Sequence, residues 1–327
     1  MIYPTTKYKF TCWVVFLNLV FILKANAQQY PLWTQNRSNQ YVNNPAFCGS
    51  KRIIDFRMNY RNQWVGFDGA PKTYLVSLHT RLLKGKLGLG GFMFKDEIGA
   101  FRSYYSAVTA SYHLRFPDSE LSVGIQGNMN SQNLIGSKMT IRNQQDKAVD
   151  LTLTDRVLGF DGSFGIAYYN DRFHLAVAGN NLTGTTLKHY QNDTLKKSKF
   201  INAPHYNLSG GYNLSENTDF IFENTLFAVF VPGVPPSFDY TLRLHIMNQI
   251  MTGASIRFGD AIAMHLGYTI KDQFQISYSY DFVTSKLSKF TSGSHEVKLV
   301  FSSNLGRDNK RRGQNNEFIR QKYKYLL

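Results

Sequence analysis

Cysteine is nearly absent from this 327-residue chain, which contains only Cys12 and Cys48. Cys12 falls inside an N-terminal apolar run, too early and in the wrong context to accept a lipid. One thiol remains, and one thiol excludes an intramolecular disulfide framework. Cys48, beside Gly49, reads as a small packed residue rather than a reactive or cross-linking thiol. Long apolar runs are missing as well. The longest spans residues 10–23, short of the ~20 residues a comfortable membrane-spanning helix needs, so a helical membrane protein is excluded. That exclusion leaves a β-barrel open, because barrel strands dilute their apolar residues by half.

Acid is scarce, with 22 Asp and Glu against 37 Lys and Arg and a formal net charge of +15. Such a balance suits acidic polymers. However, the chain has no nucleic-acid module and no zinc-knuckle spacing, so no nucleic-acid partner is expected. Catalytic motifs are missing too. The eight histidines are scattered, and His295-Glu296 lacks the second histidine of a zinc-protease helix. There is no Gly-x-Ser-x-Gly elbow and no phosphate loop, since Gly88-Leu89-Gly90-Gly91 sits within a strand pattern. A non-enzymatic chain with no cofactor and no metal is the expectation.

What is present begins with a processing signal. Lys7 and Lys9 form a basic region, residues 10–23 an apolar one, and Ala25-Asn26-Ala27 a small-x-small cleavage site. This predicts a cleavable signal peptide over 1–27, with an uncleaved anchor as the alternative. Removing Lys7, Lys9 and Lys24 brings the charge to about +12.

Beyond the leader, period two dominates. Leu121, Val123 and Ile125 alternate with Ser122, Gly124 and Gln126. Tyr240, Leu242, Leu244 and Ile246 alternate with Thr241, Arg243 and His245, and Phe274, Ile276, Tyr278, Tyr280 and Phe282 face away from Gln275, Ser277, Ser279 and Asp281. A soluble sandwich alternates as well, so three further features decide. Aromatic residues make up 15% of the chain and many fall near strand ends, as interfacial girdles require. The strand patterns are long, ~9–14 residues, where globular strands average ~5–6. Connection lengths also alternate. Fourteen strands are expected at 52–63, 71–82, 86–96, 101–115, 119–133, 155–168, 171–181, 201–214, 218–231, 237–247, 249–258, 261–271, 273–284 and 294–304. Every second connection is a tight turn, and the intervening ones are longer, up to 134–154 and 182–200. That rhythm is the signature of an all-β, up-and-down antiparallel transmembrane barrel with short periplasmic turns and long outer loops.

Charges on the polar face must point into such a barrel, because a basic side chain facing lipid near the midplane costs ~2–4 kcal/mol. His79, Arg81, His113, Arg115, Arg243, His245, Arg257, His265 and Lys298 fall on that face, opposed by Glu223 and Asp281, which predicts a wet, net basic interior. An anion-selective pore is one reading. A lumen filled by salt-bridged side chains and by the N-terminal segment is the preferred one. Residues 28–50, rich in Asn and Gln and punctuated by Pro31 and Pro45, read as an irregular, plug-like segment in the lumen or its lower mouth. The barrel is then expected over 51–304. The 305–327 tail carries seven basic and two acidic residues and reads as a solvated basic tail or a docking element.

One hairpin carries far more information than alternation needs. In "NYRNQWVGFDGAPKTYLVSLH", Asp68-Gly69 supplies a left-handed turn and Pro71 fixes φ for the next strand. Trp64 and Phe67 suit a membrane interface. Arg61 and Gln63 share a face with Asn59 and are expected to project onto residues 28–50. Together with "YPLWTQNRSNQYVNNPAFCGS", this stretch resembles the N-terminal signature of the PorP/SprF family of type IX secretion and gliding-motility outer-membrane proteins. The matching positions are Gln35, Asn43, Asn44, Pro45, Ala46 and Gly49, then Tyr60, Arg61, Gln63, Trp64, Gly66, Phe67, Gly69, Ala70, Pro71 and Thr73. Asp96, Ile98-Gly99 and Ser294-His295-Glu296 also look like family positions. Dense matching covers about 28–83. Cys48, where a small residue is expected, and the long basic tail depart from the pattern. The resemblance implies an outer-membrane component of the type IX apparatus. It would work with periplasmic ring and lipoprotein subunits, or anchor a secreted adhesin through that adhesin's C-terminal domain. A general porin and a secreted soluble all-β binding protein are the alternatives.

Overall fold

The computed structural model describes residues 31–51, 53–139, 154–189, 198–214, 219–271 and 273–303. The expectations for the leader, the tail, the turns at 215–217 and Asp272, and the centres of the two largest loops fall outside those residues.

Fourteen antiparallel strands close into one barrel. In chain order they are Ile54–Asn62 (β1), Lys72–Leu82 (β2), Leu87–Ile98 (β3), Phe101–Arg115 (β4), Glu120–Ile135 (β5), Thr154–Tyr169 (β6) and Phe173–Asn180 (β7). After a small two-stranded sheet, Thr186–His189 (β8) and Ser198–Ile201 (β9), the wall resumes. It continues with His205–Leu214 (β10), Phe220–Val231 (β11), Val234–Ile246 (β12), Ile250–Arg257 (β13), Ala261–Ile270 (β14), Phe274–Val283 (β15) and Ser294–Ser303 (β16). Each strand of the wall pairs with the next, β7 with β10, and β1 closes on β16 with Arg61 opposite Glu296 and Asn59 opposite Lys298. A closed wall leaves no unpaired edge, the condition for backbone polar groups to lie in lipid. No described helix is long and apolar enough to cross a membrane.

Alternation assigns the two faces. Met58, Leu78, Val108, Ile125, Leu266 and Ile276 are exposed on the outer surface, whereas Asp55, Arg57, Asn59 and Arg61 along β1 are buried inside. Three differences from the sequence reading stand out. The long connection after β7 contains the β8–β9 sheet, whose four-residue strands are too short to show a period. β12 starts three residues early, because a register shift at Val229/Val231 and the tight Gly233 turn extend its pairing with β11. The interior is also neither uniformly polar nor strongly basic. Leu75, Phe92, Phe94, Tyr105 and Tyr169 point inward from β2–β6 and pack with Trp33, Tyr41, Val42, Phe47 and Cys48. The buried cations Arg37, Arg57, Arg61, Arg81, Arg243, Arg257 and Lys298 meet the buried carboxylates of Asp55, Glu120, Glu223, Asp239, Asp281 and Glu296, an excess of one charge among the described residues.

Candidate functional site

The lumen holds residues 31–51, whose short helical turns, Asn36–Asn39, Gln40–Asn43 and Pro45–Phe47, follow one another with no regular strand. Asn and Gln suit this path because each side chain can bond a backbone that no ladder satisfies. The path runs from the long-connection end of the barrel to the short-turn end. Leu32, like Val234, packs against Phe227, Val229 and Val231 beside the β11–β12 turn. Cys48 and Gly49 lie against Ser111, His113 and His79 near the other mouth, where the chain turns back into β1.

At the upper end a buried ionic knot holds the segment. Arg61 Nη2 donates to Asp281 at 2.7 Å and Nη1 to Glu296 at 3.3 Å, and the guanidinium also meets Thr34 Oγ1. Thr34 N donates to Glu296 at 2.8 Å, Gln35 N to the same carboxylate at 3.2 Å, and Thr34 Oγ1 to Asp281 at 2.8 Å. Arg257 reaches the Trp33 carbonyl at 3.4 Å and Asp239 at 3.3 Å. A buried charge is tolerated only when paired and hydrogen-bonded. This knot draws its charges from β1, β12, β13, β15 and β16, and Trp33, Thr34 and Gln35 add the bonds that tie the segment to it.

Midway, Asn39 Nδ2 donates to Asn59 at 3.0 Å, Arg37 pairs with Glu223, and Arg243 donates to Ser38 at 2.9 Å. Tyr41 lies edge-on to His79 and Phe92 and donates to Thr109 at 3.1 Å. Asn180 and Asn207 both donate to the Asn43 carbonyl at 2.9 Å, and Asn44 donates to the Val177 carbonyl at 3.0 Å while capping the next turn through Ala46 N. Lower down, Ser122 bonds the Ala46 carbonyl and Ser111 the Cys48 carbonyl, each at 2.6 Å. Beside them Arg81, Glu120, His113 and Tyr169 form a second buried network. Burial pushes the Cys48 thiol up to about 12, which leaves it protonated and inert.

Two glycines show how closely segment and wall meet. A Cβ on Gly124 would stand 2.3 Å from the Pro45 carbonyl carbon, and one on Gly49, at φ +70°, 2.7 Å from the Thr80 oxygen. On the β10–β11 side the fit is looser, with small voids bounded by Asn36, Asn43, Asn207 and Phe227.

The family-like positions divide into two groups. Gln35, Asn44, Pro45, Gly49 and Arg61 lie at successive levels inside the lumen, where Ser277 donates to Gln35 at 2.7 Å. Gln63, Trp64, Gly66, Phe67, Asp68, Gly69 and Pro71 form the β1–β2 connection at the long-loop end. There Gln63 N bonds the Pro71 carbonyl, and Val65 exchanges bonds with Gly293 and Ser292 of the β15–β16 connection. Trp64 N bonds Ser294 Oγ at 3.0 Å and the Gly69 carbonyl accepts from Gly99. Gly66 and Gly69 have φ of +96° and +72°, and Trp64 itself is left-handed at +51°. Arg61 and Asn59 reach the lumen segment, whereas Gln63 stands in the turn, because the wall has ended by that point.

Among the charges expected in the lumen, Arg81, Glu223, Arg243, Arg257, Asp281 and Lys298 are buried there. Arg115 is not. It keeps the inward parity but ends β4 exposed, with its guanidinium on the Gly85 carbonyl at 3.2 Å. Sequence reasoning passed over Arg37, Asp55, Arg57, Glu120, Asp239 and the lumen role of Glu296. For Glu296 the signal was available, since closing the first strand on the last sets it opposite Arg61. Among the described residues, no group of three or more His, Cys, Asp or Glu can hold a metal ion.

A family model described as "Type IX secretion system membrane protein PorP/SprF" matches residues 25–301. Among solved structures, the CymD monoaromatic hydrocarbon channel is similar at TM-score 0.50 and 10% identity, over 86% of this chain and 95% of that one. The Ralstonia pickettii toluene transporter TbuX gives TM-score 0.50 and 10% identity over 87% and 97%. A Pseudomonas aeruginosa FadL homologue gives 0.48 and 10% over 81% and 93%. At such identity the likenesses to CymD and TbuX concern the barrel fold alone. No curated protein matches the chain. With a match running from the lumen segment to the last strand, the chain belongs to the PorP/SprF family of type IX secretion system membrane proteins.

Proposed function

We propose that this barrel serves the type IX system as a closed, partner-binding component of the outer membrane and not as a solute conduit. The observation that supports this reading is the lumen segment. Residues 31–51 are bonded along their length to inward side chains of β1, β2, β4, β5, β7, β10, β12 and β16. A filled lumen leaves the two ends of the barrel as its working surfaces. In this account a cleaved leader exports the chain, and the long connections, with the β1–β2 turn locked to the β15–β16 connection, face outward toward cargo. That cargo is the C-terminal domain of an adhesin-type substrate, either in transit or held at the surface. The short turns and the basic 305–327 tail face periplasmic ring and lipoprotein subunits of the machine.

Affinity purification from native outer membranes, with a tag in the tail, tests the proposal. Co-purification of type IX subunits or of a secreted adhesin is expected. Recovery of the barrel alone, coupled with steady solute flux through it in liposomes, would overturn the reading in favour of a porin.

A further inference from the structure

Most buried cations of the lumen have a carboxylate partner, but two groups stand apart. Lys298 is 1% exposed, and its Nζ has no hydrogen-bond partner among the described residues. The same holds for Nε and Nη2 of Arg243, which is also buried. Arg243 Nη1 is taken by Ser38, and the nearest carboxylate, Glu223 at 3.9 Å, is already engaged by Arg37 and by His245 at 3.1 Å. For Lys298 the adjacent inward carboxylate on β16, Glu296, is occupied by Thr34, Gln35, Asn59 and Arg61.

Arg243 and Lys298 face the lumen from β12 and β16, four strands apart along one stretch of wall. Arg243 on β12 lies opposite Gly253 on β13, and Gly253 opposite His265 on β14. His265 lies opposite Ser279 on β15, and Ser279 opposite Glu296, the inward neighbour of Lys298. Asn59 and Ser277 flank Lys298 from the two adjoining strands. The segment covers this stretch of wall through Ser38 on Arg243 and Asn39 on Asn59. His265 bonds Ser279 and Ser255 with its two ring nitrogens, at 2.9 and 3.0 Å, so it offers nothing further.

Buried cationic groups with free donors are unfavourable unless a counter-charge joins them or the lysine gives up its proton, and only a counter-charge also engages the free edge of Arg243. The free Nε–Nη2 edge of a guanidinium is shaped for two oxygens of one anion, and an ammonium supplies a third, compact contact. We propose that Arg243 and Lys298 hold a small inorganic oxyanion, of the phosphate or sulfate type, between the lumen segment and the β12–β16 wall. Bound there, it ties Ser38 and its neighbours to the wall on the side opposite the close-packed glycines.

The test uses the purified full-length barrel in detergent, melted while sodium sulfate or phosphate is titrated against sodium chloride at constant ionic strength. Sulfate also raises melting points generally by exclusion from protein surfaces, so the saturable part of the shift is the readout. A saturable rise of several degrees is expected in the wild type and is lost in Lys298→Met and in Arg243→Met, which keep the side-chain bulk. Crystals grown with selenate, a sulfate isostere, should give an anomalous peak between the two side chains, a readout that needs no variant to fold. Absence of a saturable rise, an equal rise in both variants, or a selenate peak only elsewhere would overturn the proposal.

Discussion

Gly124→Ala is the smallest change that should separate the lumen segment from its wall. The new methyl carbon would fall 2.3 Å from the Pro45 carbonyl carbon, 2.4 Å from its oxygen and 2.5 Å from Ala46 N. All three are backbone atoms, so no rotamer change relieves the contact. Carbon atoms settle at ~3.5–4.0 Å, so the 45–46 backbone must retreat by ~1 Å or more. Overpacking of this kind costs ~1–3 kcal/mol. The retreat also strains the bonds from Ser122 to the Ala46 carbonyl and from Asn44 to the Val177 carbonyl, worth ~1 kcal/mol each. A loss of ~2–4 kcal/mol follows. Gly127→Ala is the matched control, because the same strand turns Gly127 outward and a Cβ there meets nothing within 4 Å. Its effect should stay within ~0.5 kcal/mol. Urea unfolding in detergent measures both, and iodide quenching follows Trp33, which is 1% exposed inside the segment. Equal stabilities for the two variants, with Trp33 equally shielded, would refute the close contact on which the reasoning rests.

Arg61→Met removes the cation that joins Asp281, Glu296 and Thr34. It should cost ~3–5 kcal/mol in the same unfolding assay, with Arg61→Lys recovering only part because one ammonium cannot replace the fork. Cys48, its thiol pushed up from 9.0 to about 12, should resist maleimide at pH 8 in the folded barrel and react once urea releases the segment. The sign of the linked pH effect follows from the same shift. Above pH 9 the unfolded thiol ionises and the folded one does not, so stability falls as pH climbs from 9 toward 12. Cys48→Ala should remove that component of the pH slope.

The wall was legible in the sequence because lipid imposes a strict rule on every second residue of a strand. Val108, Ile125 and Leu266 declare the outer face, and the alternation of turn lengths gives the strand count and closure. The inner face obeys no such rule. Phe92, Phe94 and Tyr105 can point inward because they stack on one another and Tyr41 stands edge-on to Phe92, a fact no local pattern contains. The charges were hidden for the same reason. Arg61 and Glu296 are 235 positions apart, and only closure of the barrel brings them to 3.3 Å. Arg115 shows the opposite error, where parity persists past the point at which the wall gives it anything to face. The short β8–β9 sheet hangs from the wall rather than forming part of it, and four-residue strands carry no period to read.

Planar-bilayer recording of the purified full chain reports on the lumen itself, because conduction needs a path that residues 31–51 block. The wild-type barrel should be silent, with current appearing in Gly124→Ala or Arg61→Met as the segment loosens. A steady ohmic conductance from the wild type, unchanged in those variants, would contradict a closed lumen.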